Sequence, residues 1–196
     1  SFDIAAVVFE LKQLITDAWV TNIYQTDFKT VVLKLHQPDK PALNLLIKAG
    51  NKLNLTGFVQ EKPMKPSAFC MTLRKYLRNG RIQSIEQHEF ERMVVIRIKA
   101  KREEFQLIPE LFGEGNTILV DSQNKVLQAL SYRKMRDRNI LRNENFQYPP
   151  PSGKNPLRIN REGLDEIRNY GQQEVVKTLA RFFGLGGFYA EEILLR

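Results

Sequence analysis

The sequence is poor in the residues on which most site chemistry is built. A single cysteine, Cys70, among 196 residues excludes an intramolecular disulfide and any zinc site that needs two thiolates. It accords with a reducing compartment, and Cys70 itself, inside the apolar string FCMTL, reads as a small buried hydrophobe. There are two histidines, His36 and His88, and neither has a neighbour at metal-ligand or triad spacing. Both are expected at the surface. No apolar run approaches the roughly 18 residues of a membrane span, and no signal peptide opens the chain. A cytoplasmic location without a membrane partner is therefore expected, and the sequon Asn54-Leu55-Thr56 is read as fortuitous. A phosphate-cradling G-x-x-x-x-G-K-[ST] is missing. Gly113-x-Gly115 and Gly184-x-Gly186 fail the dinucleotide pattern, because Ile118 and Tyr189 occupy the third glycine's place. No cofactor is expected.

What the chain does have is positive charge, unevenly spread. Its formal net charge is +8. Residues 74–81 hold Arg74, Lys75, Arg78 and Arg81 with no acid, and residues 133–158 hold Arg133, Lys134, Arg136, Arg138, Arg142, Lys154 and Arg158 against Asp137 and Glu144. Arginine offers a planar fork that suits phosphate oxygens and stacks on bases. The pattern reads either as two solvated patches or as a polyanion footprint, nucleic acid being the leading candidate.

Periodicity gives the organisation. Residues 2–15 place Ile4, Val7, Val8, Leu11, Leu14 and Ile15 at helical spacing, with Ser1 and Asp3 at the start, where a cap and a carboxylate suit the positive end of a helix. Runs 19–25, 28–36 and 42–48 read as strands. A helix is expected over 67–78, closed by Asn79-Gly80. Further strands are expected over 81–87, 92–100, 103–111, 116–121 and 125–131. The proline-rich stretch around Tyr148-Pro149-Pro150-Pro151 breaks the pattern. The expected division is an α+β domain over 1–145, a linker over 146–156, and a small helical module over 157–196. Within that module, helices are expected from Asn160 to about Tyr170, over about 172–183, and from Phe188 onward. The last helix reaches Arg196 without a cap and position 1 is not Met, so the chain is expected to be part of a longer polypeptide.

The segment LARFFGLGGFYAEEIL at 179–194 carries the sharpest signal. Two helices joined through Gly184, Leu185, Gly186 and Gly187 would expose the first N–H groups of the second helix, and glycine lets a phosphate approach them. The plain alternative is a helical hairpin with a glycine cap.

This segment resembles the helix–two-turn–helix of formamidopyrimidine-DNA glycosylases. The chain as a whole resembles the NFACT N-terminal domain of the RqcH/NEMF/FbpA ribosome quality-control family, with the start of its helix-hairpin-helix module. The strings that carry this are Ser1-Phe2-Asp3-Ile4, residues 69–81 (FCMTLRKYLRNGR), Phe90-Glu91-Arg92, Glu110-Leu111-Phe112-Gly113 with Asn116, Tyr148-Pro149-Pro150, and residues 185–192 (LGGFYAEE). The resemblance implies an α+β fold: a glycosylase-like β-sandwich with flanking helices, then a small helical hairpin module. It also implies a protein that binds stalled large ribosomal subunits and recruits tRNA for non-templated tailing of nascent chains. Its partners would be tRNA, the large ribosomal subunit, and a coiled coil and NFACT-R domain elsewhere in the same protein.

Asp3 matches a family aspartate in the first helix, and Glu91-Arg92 matches an Asp-Arg pair with one methylene more in its acid. The expected tRNA-binding set is Asp3, Glu91, Arg92, Arg74, Arg78, Arg81, Arg133, Arg136 and Arg138, with residues 184–187 as a phosphate-binding hairpin. A plainer reading has Asp3 favouring the helix dipole and Glu91 pairing with a neighbouring base. Adjacent strand residues face opposite ways, so Glu91 and Arg92 can share a site only at a strand end or bulge. No catalysis is expected: Ser1-Phe2 stands where the glycosylases have a catalytic Pro-Glu, their four-cysteine zinc finger cannot be built from Cys70, and Gly187 replaces a phosphate-binding Asn. A divergent DNA glycosylase and a fibronectin-binding adhesin are the alternatives. The first is testable by nicking of damaged duplex, and the second is disfavoured by the lack of a secretion signal.

Overall fold

A computed structural model of the chain describes residues 1–58, 61, 63–167 and 174–196. Helix α1 (Phe2–Ile15) buries Ile4, Val8, Leu11 and Ile15, the apolar stripe that its spacing predicts. Helix α2 (Ala68–Leu77) starts where the Ser67 hydroxyl accepts from the Cys70 N–H at 3.0 Å. It stops where Asn79 turns left-handed, at φ 62°. Gly80 serves a different purpose: a Cβ there would lie 2.7 Å from an Ile98 methyl. The strands are β1 (Trp19–Gln25), β2 (Thr30–His36), β3 (Leu43–Lys48), β4 (Lys52–Leu55), β5 (Arg81–Gln87), β6 (Val94–Ala100), β7 (Glu103–Glu110), β8 (Asn116–Val120) and β9 (Val126–Ala129). Most follow the alternating runs; β4, a short return strand, was not anticipated as a separate element.

All nine strands form one antiparallel sheet in the order β4-β3-β2-β1-β5-β6-β7-β8-β9. The expected sandwich is thus made by a single sheet folded on itself. Its bend is the β1–β5 junction, where only Trp19 and Arg81 are in ladder register. The closure is seen at the far ends. β3 and β7 are five strands apart, about 24 Å in a flat sheet, yet the Gly50 N–H donates to the Glu110 carbonyl at 2.9 Å. Between the two halves lies the main core, including Val20, Leu33, Ile47, Leu73, Ile96 and Phe105, with α2 touching both β1 and β9. The opposite face of β6–β9 carries a second cluster, among them Met93, Ile108, Ile118 and Phe146. Covered on both faces, β8 is buried at every position.

The remaining chain is not a free tail. A small hairpin, β10 (Arg133–Lys134) with β11 (Asn139–Ile140), precedes the proline-rich segment, and Tyr148 of that segment stacks on His88 at 3.7 Å. His88 is therefore half-buried rather than a surface residue, and burial lowers its pKa; His36 is exposed. Helices α3 (Arg161–Asp165), α4 (Val175–Phe182) and α5 (Gly187–Leu195) follow. Asn160 caps α3 by accepting from the Gly163 N–H at 2.9 Å. The expected helix end near Tyr170 and the next start near 172 lie outside the described residues. A third cluster of Phe90, Phe182, Phe183 and Leu185, with Phe2 and Tyr189 against it, joins these helices to the sheet domain.

The sheet closure depends on glycine. At Gly115 (φ +72°) an added Cβ would stand 1.9 Å from the Gly50 nitrogen. Gly115→Ala is expected to cost on the order of 3 kcal/mol or more, combining a left-handed penalty with overpacking against backbone. Gly57→Ala, with nothing within 4 Å, should stay within about 0.5 kcal/mol of the parent. Urea unfolding of the two variants checks the contrast.

Candidate nucleic-acid site

A cleft of about 510 Å³ opens between the start of α1, the β5–β6 turn and the α4–α5 hairpin, within the size range of small-ligand sites. Glu91 and Arg92 come from the turn, which is tightened by His88 N–H to Met93 carbonyl (2.9 Å) and Glu91 N–H to His88 carbonyl (3.0 Å). Because they sit outside the strands, just before β6, both side chains reach the cleft, as their adjacency requires. Arg92 is pinned through one nitrogen: its Nε donates to the Leu111 carbonyl at 3.0 Å, while its own carbonyl accepts from the Leu111 N–H at 2.8 Å. Its two terminal nitrogens have no hydrogen-bond partner among the described residues.

Glu91 is engaged differently. Its Oε1 accepts from both the Ser152 N–H (2.6 Å) and the Ser152 hydroxyl (2.8 Å), so this carboxylate fastens the proline-rich segment. The fastening continues into the hairpin. A Cβ on Gly153 would be 2.3 Å from the Gly184 nitrogen, and the Lys154 N–H donates to the Phe182 carbonyl at 2.7 Å. Backbone thus lies directly on backbone where Gly184 takes φ +60°. Gln87 completes the frame: its Nε2 donates to the Ser1 carbonyl (3.1 Å) and the Glu91 carbonyl (2.8 Å), tying the start of α1 to the turn.

Asp3, exposed in the first turn of α1, accepts from the Tyr189 hydroxyl and from the Ser1 hydroxyl at 3.4 Å. That bond raises the Tyr189 phenol pKa, which keeps it a donor. Phe2 lies between Phe90 (4.9 Å) and Tyr189 (5.2 Å). On the hairpin side, Gly184, Leu185 and Gly186 line the cleft. Gly187 opens α5 beside it, and at neither Gly186 nor Gly187 would a Cβ meet anything within 4 Å. A side chain at either position would therefore extend into open space. Phe188, 74% exposed, stands at the same edge.

The structure gathers Asp3, Glu91, Arg92 and the glycine hairpin on one cleft, which none of the other expected arginines lines. Arg74, Arg78 and Arg81 lie on or just after α2, toward the far end of β6, and Arg81 is paired with Asp17 at 3.0 Å. Arg133 is half-buried, donating to the Ser131 hydroxyl (3.3 Å) and the Gly115 carbonyl (3.4 Å). Arg136 is exposed between β10 and β11. Arg138 does not belong in the set. Only 6% exposed, it holds the buried Glu110 carboxylate at 2.5 Å, so its guanidinium is inside the protein and unavailable to a polyanion.

Sequence reasoning missed Gln87, Phe112, Ser152 and Gly153. Ser152 and Gly153 were read as linker. The one available signal was a Ser-Gly pair at the end of a proline run, which does not reveal a docking partner 61 residues away.

Two consequences are measurable. Glu91→Ala should cost about 1–3 kcal/mol, the range for leaving polar partners unmade, and should speed hydrogen exchange at the Ser152 amide while exchange in β7 and β8 is unchanged. Arg138→Met should cost about 3–5 kcal/mol by stranding a buried carboxylate. Burial already pushes the Glu110 pKa up, against the pull of Arg138. Without the arginine the folded state binds that proton more readily still. Stability of Arg138→Met then rises relative to the parent as pH falls from the variant's folded Glu110 pKa to the parent's own raised value, below which the two curves run parallel; pH-dependent unfolding curves check the sign.

A family model described as NFACT N-terminal and middle domains matches residues 1–196; the helix-hairpin-helix start expected at the end of the chain is not in it, and α4 and α5 form a plain helical hairpin within the matched region. An archaeal Rqc2 homolog, aRqcH of Methanocaldococcus jannaschii, is 33% identical over 99% of this chain and 30% of its own length. The human ribosome quality control complex subunit NEMF is 34% identical over 68% of the chain and 12% of its own length. The Rqc2 homolog RqcH of Streptococcus pneumoniae is 30% identical over 95% of the chain and 36% of its own length. The chain therefore spans between 12% and 36% of these relatives. Among solved structures, the N-terminal domain of fibronectin-binding protein PavA from Streptococcus pneumoniae superposes with a TM-score of 0.87 at 32% identity, covering 98% of this chain and 77% of that one. The N-terminal region of a fibronectin/fibrinogen-binding protein from Streptococcus suis gives 0.86 at 27% identity, over 97% of this chain and 76% of that one.

Proposed function

Because the chain belongs to the NFACT family, whose relatives are named ribosome quality-control proteins, we propose that it is the RNA-gripping part of such a factor, with tRNA on the large ribosomal subunit as its partner. The observation that carries this reading is the convergence of Asp3, Glu91, Arg92 and the glycine hairpin on one cleft. Its chemistry is mixed, which suits an unpaired nucleotide better than a bare anion. Asp3 can accept from the exocyclic amine of a base, and the aromatic face of Phe188 offers a stacking platform. The free fork of Arg92 and the first N–H groups of α5 take the phosphate. Glu91 acts through Ser152, holding the hairpin in place.

The role is binding and positioning, with the chemistry of nascent-chain tailing belonging to the ribosome. The cytoplasm, where ribosomes work, is the corresponding location. Asp3→Ala and Arg92→Ala in the full-length factor would abolish tailing if these two groups hold the tRNA.

The direct test is tRNA binding as a function of salt. About five neutralised phosphates give a slope of log K on log salt between roughly −3.5 and −4.5. Gly187→Asp separates fold from function: a carboxylate at the first turn of α5 favours the helix but repels a phosphate there, so unfolding should be unchanged or later while binding weakens. A flat salt profile, or Gly187→Asp and Arg92→Ala binding like the parent, would overturn the assignment. The names of the solved neighbours favour a second reading, fibronectin binding; saturable capture by immobilised fibronectin together with failure to bind tRNA would establish it instead.

A further inference from the structure

The basic stretch of α2 is built for contact but lies away from the cleft. The cleft residue Arg92 precedes β6 at Val94, while Lys101, which donates to the Lys75 carbonyl of α2 at 2.7 Å, follows it at Ala100. Seven strand residues put about 20 Å between those ends. On α2, Met71 and Lys75 lie on the exposed face, away from the buried Cys70, Leu73 and Leu77, while Arg74, part-buried, flanks them over β1 and Arg78 caps the helix end. Arg74 donates its Nε to the Ile23 carbonyl at 2.6 Å, and Arg78 donates its Nε to the Thr21 carbonyl at 3.3 Å.

Each guanidinium is therefore fixed by its inner nitrogen. Its planarity aims the terminal pair, which has no hydrogen-bond partner among the described residues. Arg74 also lies over the Tyr24 ring at 5.6 Å. Like charges one turn apart destabilise a helix, and α2 carries no acid to relieve them. The acids nearby are occupied or aside: Asp17 holds Arg81, and Glu103 and Glu104 lie opposite Ala100 and Lys99 in the β6–β7 ladder.

We propose that this face of α2 is a second RNA-docking surface, separate from the cleft, that grips the phosphate strand of a paired stem. Arg74 and Arg78 are one helical turn apart, about 6 Å, a step comparable with that between successive phosphates. Pre-aimed forks match phosphate oxygens two at a time. The rings beside these cations, Tyr24 under Arg74 and Tyr76 under Lys75, are covered by them, so the surface holds backbone and reads no base. The proposal rests on the RNA reading above but on different residues and on a different part of the RNA.

The test is fluorescence anisotropy of the 196-residue chain with two probes, a fully paired RNA duplex and a stem-loop with the same stem. Variants are Met71→Glu and Lys75→Glu, both at exposed positions, with Lys75→Arg as the conservative control and Arg92→Ala for the cleft. Both charge variants should weaken duplex and stem-loop binding about five- to tenfold and flatten the salt slope by about 1. Lys75→Arg should bind like the parent, and Arg92→Ala should weaken only the stem-loop. Duplex binding unchanged in both Met71→Glu and Lys75→Glu overturns the second surface; if Arg92→Ala still weakens the stem-loop, the cleft reading stands without it. A parent chain that binds neither RNA removes both.

Discussion

The cleft exists because one stretch of bare backbone lies on another. Gly153 and Gly184 approach so closely that a side-chain carbon on either would overlap the partner segment, and the Glu91 carboxylate locks this contact by accepting twice from Ser152. Without it the α4–α5 hairpin would be held to the sheet domain by the small aromatic cluster around Phe90 and Phe182 and by the Tyr189–Asp3 hydrogen bond at its edge. Such a cluster supplies apolar area but little direction. The glycines and the two charge-assisted bonds supply the direction, and that is what brings the α4–α5 hairpin to the cleft that Arg92 also lines.

The same device closes the sheet. Gly50 and Gly115 let the β3–β4 turn sit on the β7–β8 turn, folding nine strands around α2. The closure also places Glu110, whose carbonyl receives Gly50, next to Arg92 through Leu111. Scaffold and site therefore share backbone. Buried charge plays its part inside the scaffold: Glu110 with Arg138 is a desolvated pair whose integrity matters more than its net contribution.

Local signals made much of this legible. Helical spacing marked α1 and α2 to within a residue or two, alternation marked most strands, and Asn160 marked the α3 cap. Glu91-Arg92 was legible as a strand end or bulge, because two adjacent residues within a strand cannot share a site. Long-range contacts were not legible. The proline run was read as a linker, since proline forbids regular structure but says nothing about docking. His88 lies in a loop as its polar neighbours suggest, but the Tyr148 ring stacked on it, which removes it from the open surface, has no local signal. Arg138 and Arg136 are indistinguishable in a basic stretch, and only the fold shows that the first is inside against Glu110 and the second in solvent. The 20 Å between the cleft and the α2 arginines likewise depends on the run of β6, which no composition count contains.

The most direct measurement of the central claim is ultraviolet crosslinking of the intact factor to tRNA, with the joined peptide and nucleotide identified by mass spectrometry. The account calls for adducts between unpaired loop nucleotides and the peptides bearing Phe112 and Phe188–Tyr189, lost when excess unlabelled tRNA is added. Adducts confined to peptides remote from the cleft, or none above those of a protein that does not bind RNA, would contradict it.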